Sequence, residues 1–291
     1  MAIAVVTDST SDIEPARARE LGIDVVPLFV IFGDKSYRDY VDLSRRDFYE
    51  KLATEPVLPI TSQPTAQMFE EAFRPHVEAG DEIVCIVISS KLSGTINAAR
   101  SAAQQFPGAN ISILDSLSVA GGLGMQVLHA CALAKAGASM QTIIDALEHE
   151  KRTQHLYACI PDLSHVVRTG RIGKARAVIG TLMKIVPVIS LRDGEVVAEA
   201  QVRTLKRAQQ TMIELSLKDI TDPARARFLV MHTNAPDLAK SIQERLRAQL
   251  AGPSTGSGQV LEPQMLDILE AGPVIATHGG PGAVGVFSAQ D

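Results

Sequence analysis

Short β-branched runs alternate with longer segments of helical period along this chain, the pattern of βαβ units around a mostly parallel sheet. In the first half the apolar runs Ala2 to Val6, Val25 to Phe32, Glu82 to Ile88 and Asn110 to Leu114 read as strands. Helical period is expected over Pro15 to Leu21, Ser44 to Ala53, Ala66 to Ala79, Thr95 to Phe106, Leu123 to Ala136, and Ser139 to about Gln154, with Ser139 as N-cap. The second half opens with a strand at Leu156 to Ile160 and a helical stretch from Leu163. Ile185 to Leu191 and Glu195 to Val202 follow, joined through Arg192-Asp193-Gly194, and Asp-Gly between two apolar runs signals a hairpin. Helices at Leu205 to Leu217 and Leu238 to Leu250 then alternate with strands at Phe228 to His232 and Val274 to Thr277, while Gly252 to Gly258 reads as an exposed turn. Parallel order before, antiparallel pairing after, predicts two different α/β domains, residues 1–152 and 153–291: a mostly parallel sheet with flanking helices, then an α/β sandwich with a mixed or antiparallel sheet.

Length and composition agree with that division. The 291 residues suffice for two domains, and 46% hydrophobic with 21% charged residues excludes a disordered or low-complexity chain. A net charge of −5, 4% aromatic residues and no Trp offer no basic footprint and few stacking platforms, which argues against nucleic acid. The longest clearly apolar run, Val25 to Phe32, is interrupted by Pro27 and too short to cross a bilayer. Asp8 falls within the first ten residues, where a secretory signal would be apolar, so the cytoplasm is the expected compartment. Cys85, Cys131 and Cys159 lack CxxC spacing and read as small buried hydrophobes, and no metal site or cofactor is expected.

The chemistry gathers where strands end. Four exits lead into hydroxyl-rich turns: Thr7-Asp8-Ser9-Thr10-Ser11, Thr61-Ser62-Gln63-Pro64-Thr65, Ser89-Ser90-Lys91-Leu92-Ser93-Gly94-Thr95, and Asp115-Ser116-Leu117-Ser118. Capping explains any one of them. Four on the carboxyl edge of a parallel sheet point to a site offering hydroxyls and amides to a carboxylate or phosphate. Near the C-terminus, Thr277-His278-Gly279-Gly280-Pro281-Gly282 reads as a glycine-rich loop with a His at its lip. The GxGxxG match of Gly280, Gly282 and Gly285 is rejected because the six residues after Gly285 cannot complete a Rossmann unit. Between Asp162 and Asp193 no acid occurs, while Arg168, Arg171, Lys174, Arg176, Lys184 and Arg192 do: either a solvated basic face or a dock for phosphate or an acidic partner. Gly170-Arg171-Ile172-Gly173-Lys174 lacks P-loop spacing, and GxSxG, HExxH and zinc-deaminase patterns are absent. Hydroxyls without base, nucleophile or metal describe binding without chemistry. The enzymatic alternative is a hydrolase or transferase with Ser93 or Ser116 as nucleophile and His278 as base; a third is a regulatory or transport protein whose ligand occupancy alters its contacts.

At these same residues the sequence resembles the DegV family of bacterial fatty-acid-binding proteins along nearly its whole length. The stretches that carry the likeness are Val6 to Asp12, Thr61 to Thr65, Ser89 to Thr95, Asp115-Ser116 with Gly121 to Gly124, Arg168 to Ile172, Arg203-Thr204 and His278 to Gly282. Tyr40 stands where the likeness leads one to expect a smaller residue. The resemblance implies two α/β domains with a long-chain fatty acid buried in a tunnel between them. It implies that Thr61 and Ser93 bond the carboxylate, supported by Ser62, with His278 nearby through water. It further implies a non-catalytic subunit that presents the acid to a separate ATP-binding kinase subunit for conversion to an acyl phosphate, with Arg168, Arg171 and Arg203 engaging that partner.

Overall fold

The structure is a computed structural model that describes residues 2–175, 185–250, 264–265 and 267–290. The chain divides into two compact units, Met1–Lys151 with Gly272–Thr277, and Arg152–Ala271 with His278–Asp291.

The first unit is built on β1 (Ile3–Asp8), β2 (Ile23–Val26), β6 (Glu82–Val87) and β7 (Ile111–Asp115), all parallel in the order β2-β1-β6-β7. Strands covered on both faces read as unbroken apolar runs, and β1 and β6 do. Their alternation sorts the core into two layers. Val5, Val84 and Ile86 pack with Leu123 and Val127 of α5 (Gly121–Lys135) and Ile143 and Leu147 of α6 (Met140–Thr153). Val6, Ile83 and Cys85 face Phe69 and Phe73 of α3 (Ala66–Ala79) and Ile96 and Ala99 of α4 (Thr95–Ala103). Two further helices, α1 (Pro15–Leu21) and α2 (Arg45–Thr54), complete the unit's helical cover; α2 is capped by Ser44, whose Oγ accepts the Asp47 N–H.

The apolar run Val25 to Phe32 is two strands and not one. Pro27 donates no amide and breaks it, the Leu28 N–H turns to Ser9 Oγ at 3.0 Å, and the chain leaves the parallel sheet. Its second part, β3 (Phe29–Phe32), pairs antiparallel with β4 (Lys35–Arg38) and β5 (Ile60–Ser62) in a small separate sheet. That sheet adds Val30 and Phe32 to a core shared with Leu43, Phe48, Val274 and Ala276.

The second unit carries a mixed sheet that runs, among the described residues, β10 (Glu195–Val202), β9 (Val186–Arg192), β8 (His155–Cys159), β14 (Val284–Gln290) and β11 (Ala226–His232), with β12 (Gln264–Met265) and β13 (Leu269–Glu270) parallel to β11. The expected hairpin is present: β9 and β10 pair antiparallel, and Asp193 and Gly194 both take positive φ, as a tight two-residue turn demands. The short helix α7 (Ser164–Arg168) follows β8, while α8 (Leu205–Lys218) and α9 (Pro236–Leu250) pack Met212, Ile213, Ile242 and Leu246 on the sheet.

One sequence expectation near the C-terminus is corrected. Residues 274–277 are not a strand but lie within a helix, α10 (Pro273–Gly279). Pro273 at its first position supplies a helical φ, and burial of Val274 and Ala276 outweighs the β preference of Val and Thr. The stretch after the glycines is a strand, β14, paired with β11 and β8. The predicted turn Gly252 to Gly258 lies outside the described residues, as do Arg176 and Lys184.

Candidate functional site

Three of the four hydroxyl-rich turns leave the carboxyl ends of β1, β6 and β7 and are laced together by their own polar groups. Asp8 accepts the Thr10 N–H at 2.9 Å through Oδ1 and the Ile88 N–H at 2.8 Å through Oδ2, joining the β1 exit to the β6 exit. Burial raises the Asp8 carboxyl above its usual range, and these bonds with the Thr10 hydroxyl oppose the rise. Asp115 accepts the Ser90 N–H at 3.2 Å, and the Ser89 N–H donates to Ser118 O at 2.9 Å, joining the β6 exit to the β7 exit. Ser116 Oγ donates to Ser118 O and accepts the Ser118 N–H, so this hydroxyl shapes its own turn. The fourth turn departs from expectation, since Thr61 and Ser62 lie on β5 of the small antiparallel sheet, opposite Val30 and Phe29.

That fourth turn nonetheless returns to the parallel sheet's edge. A Cβ on Gly94 would lie 2.2 Å from Gln63 Oε1, so the Gln63 side chain rests on the Gly94 backbone. The Thr61-to-Thr65 and Ser89-to-Thr95 stretches therefore meet. Ser93 is half-buried; its Oγ lies 2.9 Å from Thr95 Oγ1 and accepts the Thr95 N–H at 3.3 Å, at the start of α4. Thr61 is half-buried and Ser62 exposed, with Ser62 Oγ 3.4 Å from Gln63 O. Gln63, left outside the expected carboxylate set, is what joins the two stretches, and its signal in the sequence was a glycine with a partner thirty-one positions upstream.

His278 belongs to the second unit. Thr169 Oγ1 donates to His165 O at 2.9 Å, one helical turn back, so its single proton is committed and it accepts from His278 Nδ1–H at 2.8 Å. Desolvation first, then the charges of Arg171 and His165, pull the His278 pKa down to about 3, so the ring is neutral near pH 7. The glycine loop beside it is stapled by buried Thr233, whose Oγ1 donates to Gly280 O at 2.5 Å and accepts the Ala283 N–H at 2.9 Å. Gly280 has φ +65°, and a Cβ there would lie 2.7 Å from the His165 ring.

Arg168 ends α7, Arg171 follows it and donates to Thr169 O at 2.5 Å, and Arg203 directly precedes the Thr204 cap of α8; all three are exposed. The basic stretch is less uniform than the sequence suggests. The fold returns Glu195 to Lys174 at 2.9 Å and Glu199 to Arg192 at 2.8 Å, so two cations of the stretch are paired with carboxylates. Among the described residues, no group of three His, Cys, Asp or Glu is placed to hold a metal ion, and no helix is long and apolar enough to cross a membrane.

A family model described as "Uncharacterised protein, DegV family" matches residues 2–291. A DegV domain-containing protein of Halalkalibacterium halodurans is 38% identical over 285 residues, covering 98% of this chain and 97% of that one. A DegV family protein from Thermus thermophilus, solved for its fatty acid binding, superposes with TM-score 0.89 at 32% identity over 100% of both chains. DegV of Bacillus subtilis, described as a fatty acid binding protein, does so with TM-score 0.87 at 32% identity, again over 100% of both.

Proposed function

This chain belongs to the DegV family, and on that premise we propose that it binds a long-chain fatty acid and presents its carboxylate to a separate ATP-dependent kinase subunit in the cytoplasm. The observation that carries the reading is the meeting of the Thr61-to-Thr65 and Ser89-to-Thr95 stretches through Gln63 and Gly94, two segments that carry the half-buried hydroxyls of Thr61 and Ser93. Solved relatives at 32% identity that are described as fatty acid binding support the ligand class.

The energetics fit such a division of labour. Each buried CH₂ contributes about 0.8 kcal/mol, so a chain of ~15 such groups supplies the affinity and leaves the head group lightly held. Hydroxyl donors offset carboxylate desolvation without the bidentate grip of an Arg, leaving an oxygen able to attack phosphorus. In this assignment Thr61 and Ser93 bond the carboxylate, Ser62 supports them, and neutral His278 takes part through water. Arg168, Arg171 and Arg203 engage the kinase subunit, which supplies the nucleotide chemistry that this chain lacks the motifs for. The hydrogen bonds of Ser116 to its own turn favour binding over a Ser116 nucleophile.

Titration with a fluorescent long-chain fatty acid tests the head-group assignment. Ser93→Ala removes a hydrogen bond to a charged group worth roughly 1.5–3 kcal/mol, so affinity should fall about 10- to 150-fold. A folded Ser93→Ala protein with unchanged affinity would refute the assignment. Arg171→Glu should leave that affinity intact and lower acyl phosphate formation with the kinase subunit; unimpaired turnover would remove the arginines from the interface.

A further inference from the structure

The segment Gly272–Thr277 returns to the first unit and is held there at its start by acidic side chains. Asp12 Oδ1 accepts the Gly272 N–H at 2.9 Å and the Tyr40 hydroxyl at 3.1 Å. The Tyr40 ring lies against Gly272 so closely that a Cβ there would come within 2.6 Å of it. Tyr40 itself takes φ +61°, a left-handed conformation costly for a bulky residue, which the contact with Gly272 and the Arg45 guanidinium over its ring hold in place. Asp39, on the same turn, faces Ser9 and the Val274 amide. Both acids thus address the first amides of α10.

The charges in this cluster do not balance. Asp12 and Asp39 are each 1% exposed, and Glu14 adds a third carboxylate. The cation that faces them is Arg45, which donates through Nη1 to Glu14 and through Nη2 to Tyr40 at 2.9 Å. Asp12 Oδ2, Ser11 Oγ and Arg45 Nε have no hydrogen-bond partner among the described residues. Two buried carboxylates that share one facing cation with Glu14 cannot both be ionised without large cost.

We propose that Asp12, Asp39 and Tyr40 form a proton-dependent latch on the returning segment, closed while a proton resides on the acid pair and loosened when both carboxyls are ionised. Desolvation is the leading cause at both acids. It raises the Asp12 carboxyl to about 7, against the bonds from Gly272 and Tyr40 and the charge of Arg45, with Glu14 adding to the rise. It raises Asp39 well above the usual range, with the Asp12 charge adding to it, against Ser9, Val274 and Arg45. A raised carboxyl stabilises the fold below its unfolded pKa and loses that stabilisation as pH climbs through the folded one, so the latch opens on the alkaline side of neutrality. It stands independently of the ligand proposed above, and it acts on the helix that leads into His278.

Hydrogen exchange on the ligand-free chain tests this, with protection of the 272–279 amides corrected for intrinsic rates between about pH 6 and about pH 9. Protection should fall on the order of tenfold with rising pH in the native protein and clearly less in Asp39→Asn, which keeps the shape and removes one of the two charges. Flat protection in the native protein, or an equal fall in Asp39→Asn, would overturn the proposal. Should Asp39→Asn fail to fold, carboxyl-carbon NMR of the native chain decides instead: two resonances titrating near or above neutrality support the latch, and titration of both in the ordinary carboxylate range overturns it.

Discussion

Acidification should destabilise this protein through His278, and the size of the effect follows from its surroundings. The unfolded imidazole titrates near 6.5, while desolvation, Arg171 and His165 hold the folded ring down to about 3. The unfolded chain therefore binds a proton that the folded chain refuses throughout that interval. Stability from this group is complete above about pH 6.5 and drains as pH falls towards the folded value. At roughly 1.4 kcal/mol per pH unit, descent to about pH 4 costs about 3 kcal/mol, an upper bound because the ring is only half-buried and solvent screens part of the penalty. The perturbation is His278→Gln, which keeps a polar side chain without a titrating group. Urea unfolding followed by far-UV circular dichroism suits a chain without Trp, run at several pH values from about 7 to about 4 for both proteins. The native protein should lose up to about 3 kcal/mol more than the variant over that range. Ionisation at Asp12 and the acid loss of depressed carboxylates such as Glu199 are common to both proteins and cancel in the difference. Parallel curves for the two proteins would refute a neutral, desolvated His278.

Glycine to alanine inside a helix ordinarily stabilises by up to about 1 kcal/mol, but Gly124→Ala in α5 would set a Cβ 2.5 Å from the Ser11 carbonyl oxygen. The variant should lose roughly 1–3 kcal/mol and melt lower, and a higher melting temperature would contradict the close approach. Thr233→Val keeps shape but strips the glycine loop of its staple, leaving the Ala283 N–H and Gly280 carbonyl buried without this partner. A loss of roughly 1–3 kcal/mol in urea unfolding is expected, and no loss would mean the loop is held otherwise.

Much of the framework was legible in the sequence because local chemistry and global fold agree there. Ile3 to Val6 of β1 and Ile83 to Val87 of β6 are unbroken apolar runs because helices cover both faces, and Asp193-Gly194 is a turn signal that needs no tertiary context. Where long-range packing decides, the pattern misled. Val274 to Thr277 is β-branched enough to read as a strand, yet Pro273 and burial beside Phe48 and Leu43 make it a helix. Val25 to Phe32 is one apolar run whose halves join different sheets. The hydroxyl turns were visible as a set, but that Thr61 and Ser62 lie on a separate sheet and rejoin the edge through Gln63 on Gly94 is a non-local fact. The acid cluster was hidden for the same reason, since Asp12, Asp39 and Gly272 lie far apart in sequence. Acyl-lining residues were not legible either, because a Leu against a lipid and a Leu against a core share one periodicity.

The central claim is the fatty acid, and organic extraction of the purified protein followed by mass spectrometry, with the native mass of the intact complex alongside, tests it most directly. One equivalent of a long-chain fatty acid per chain is the expected result. An empty, folded protein whose melting temperature does not move on adding oleate or palmitate would contradict it.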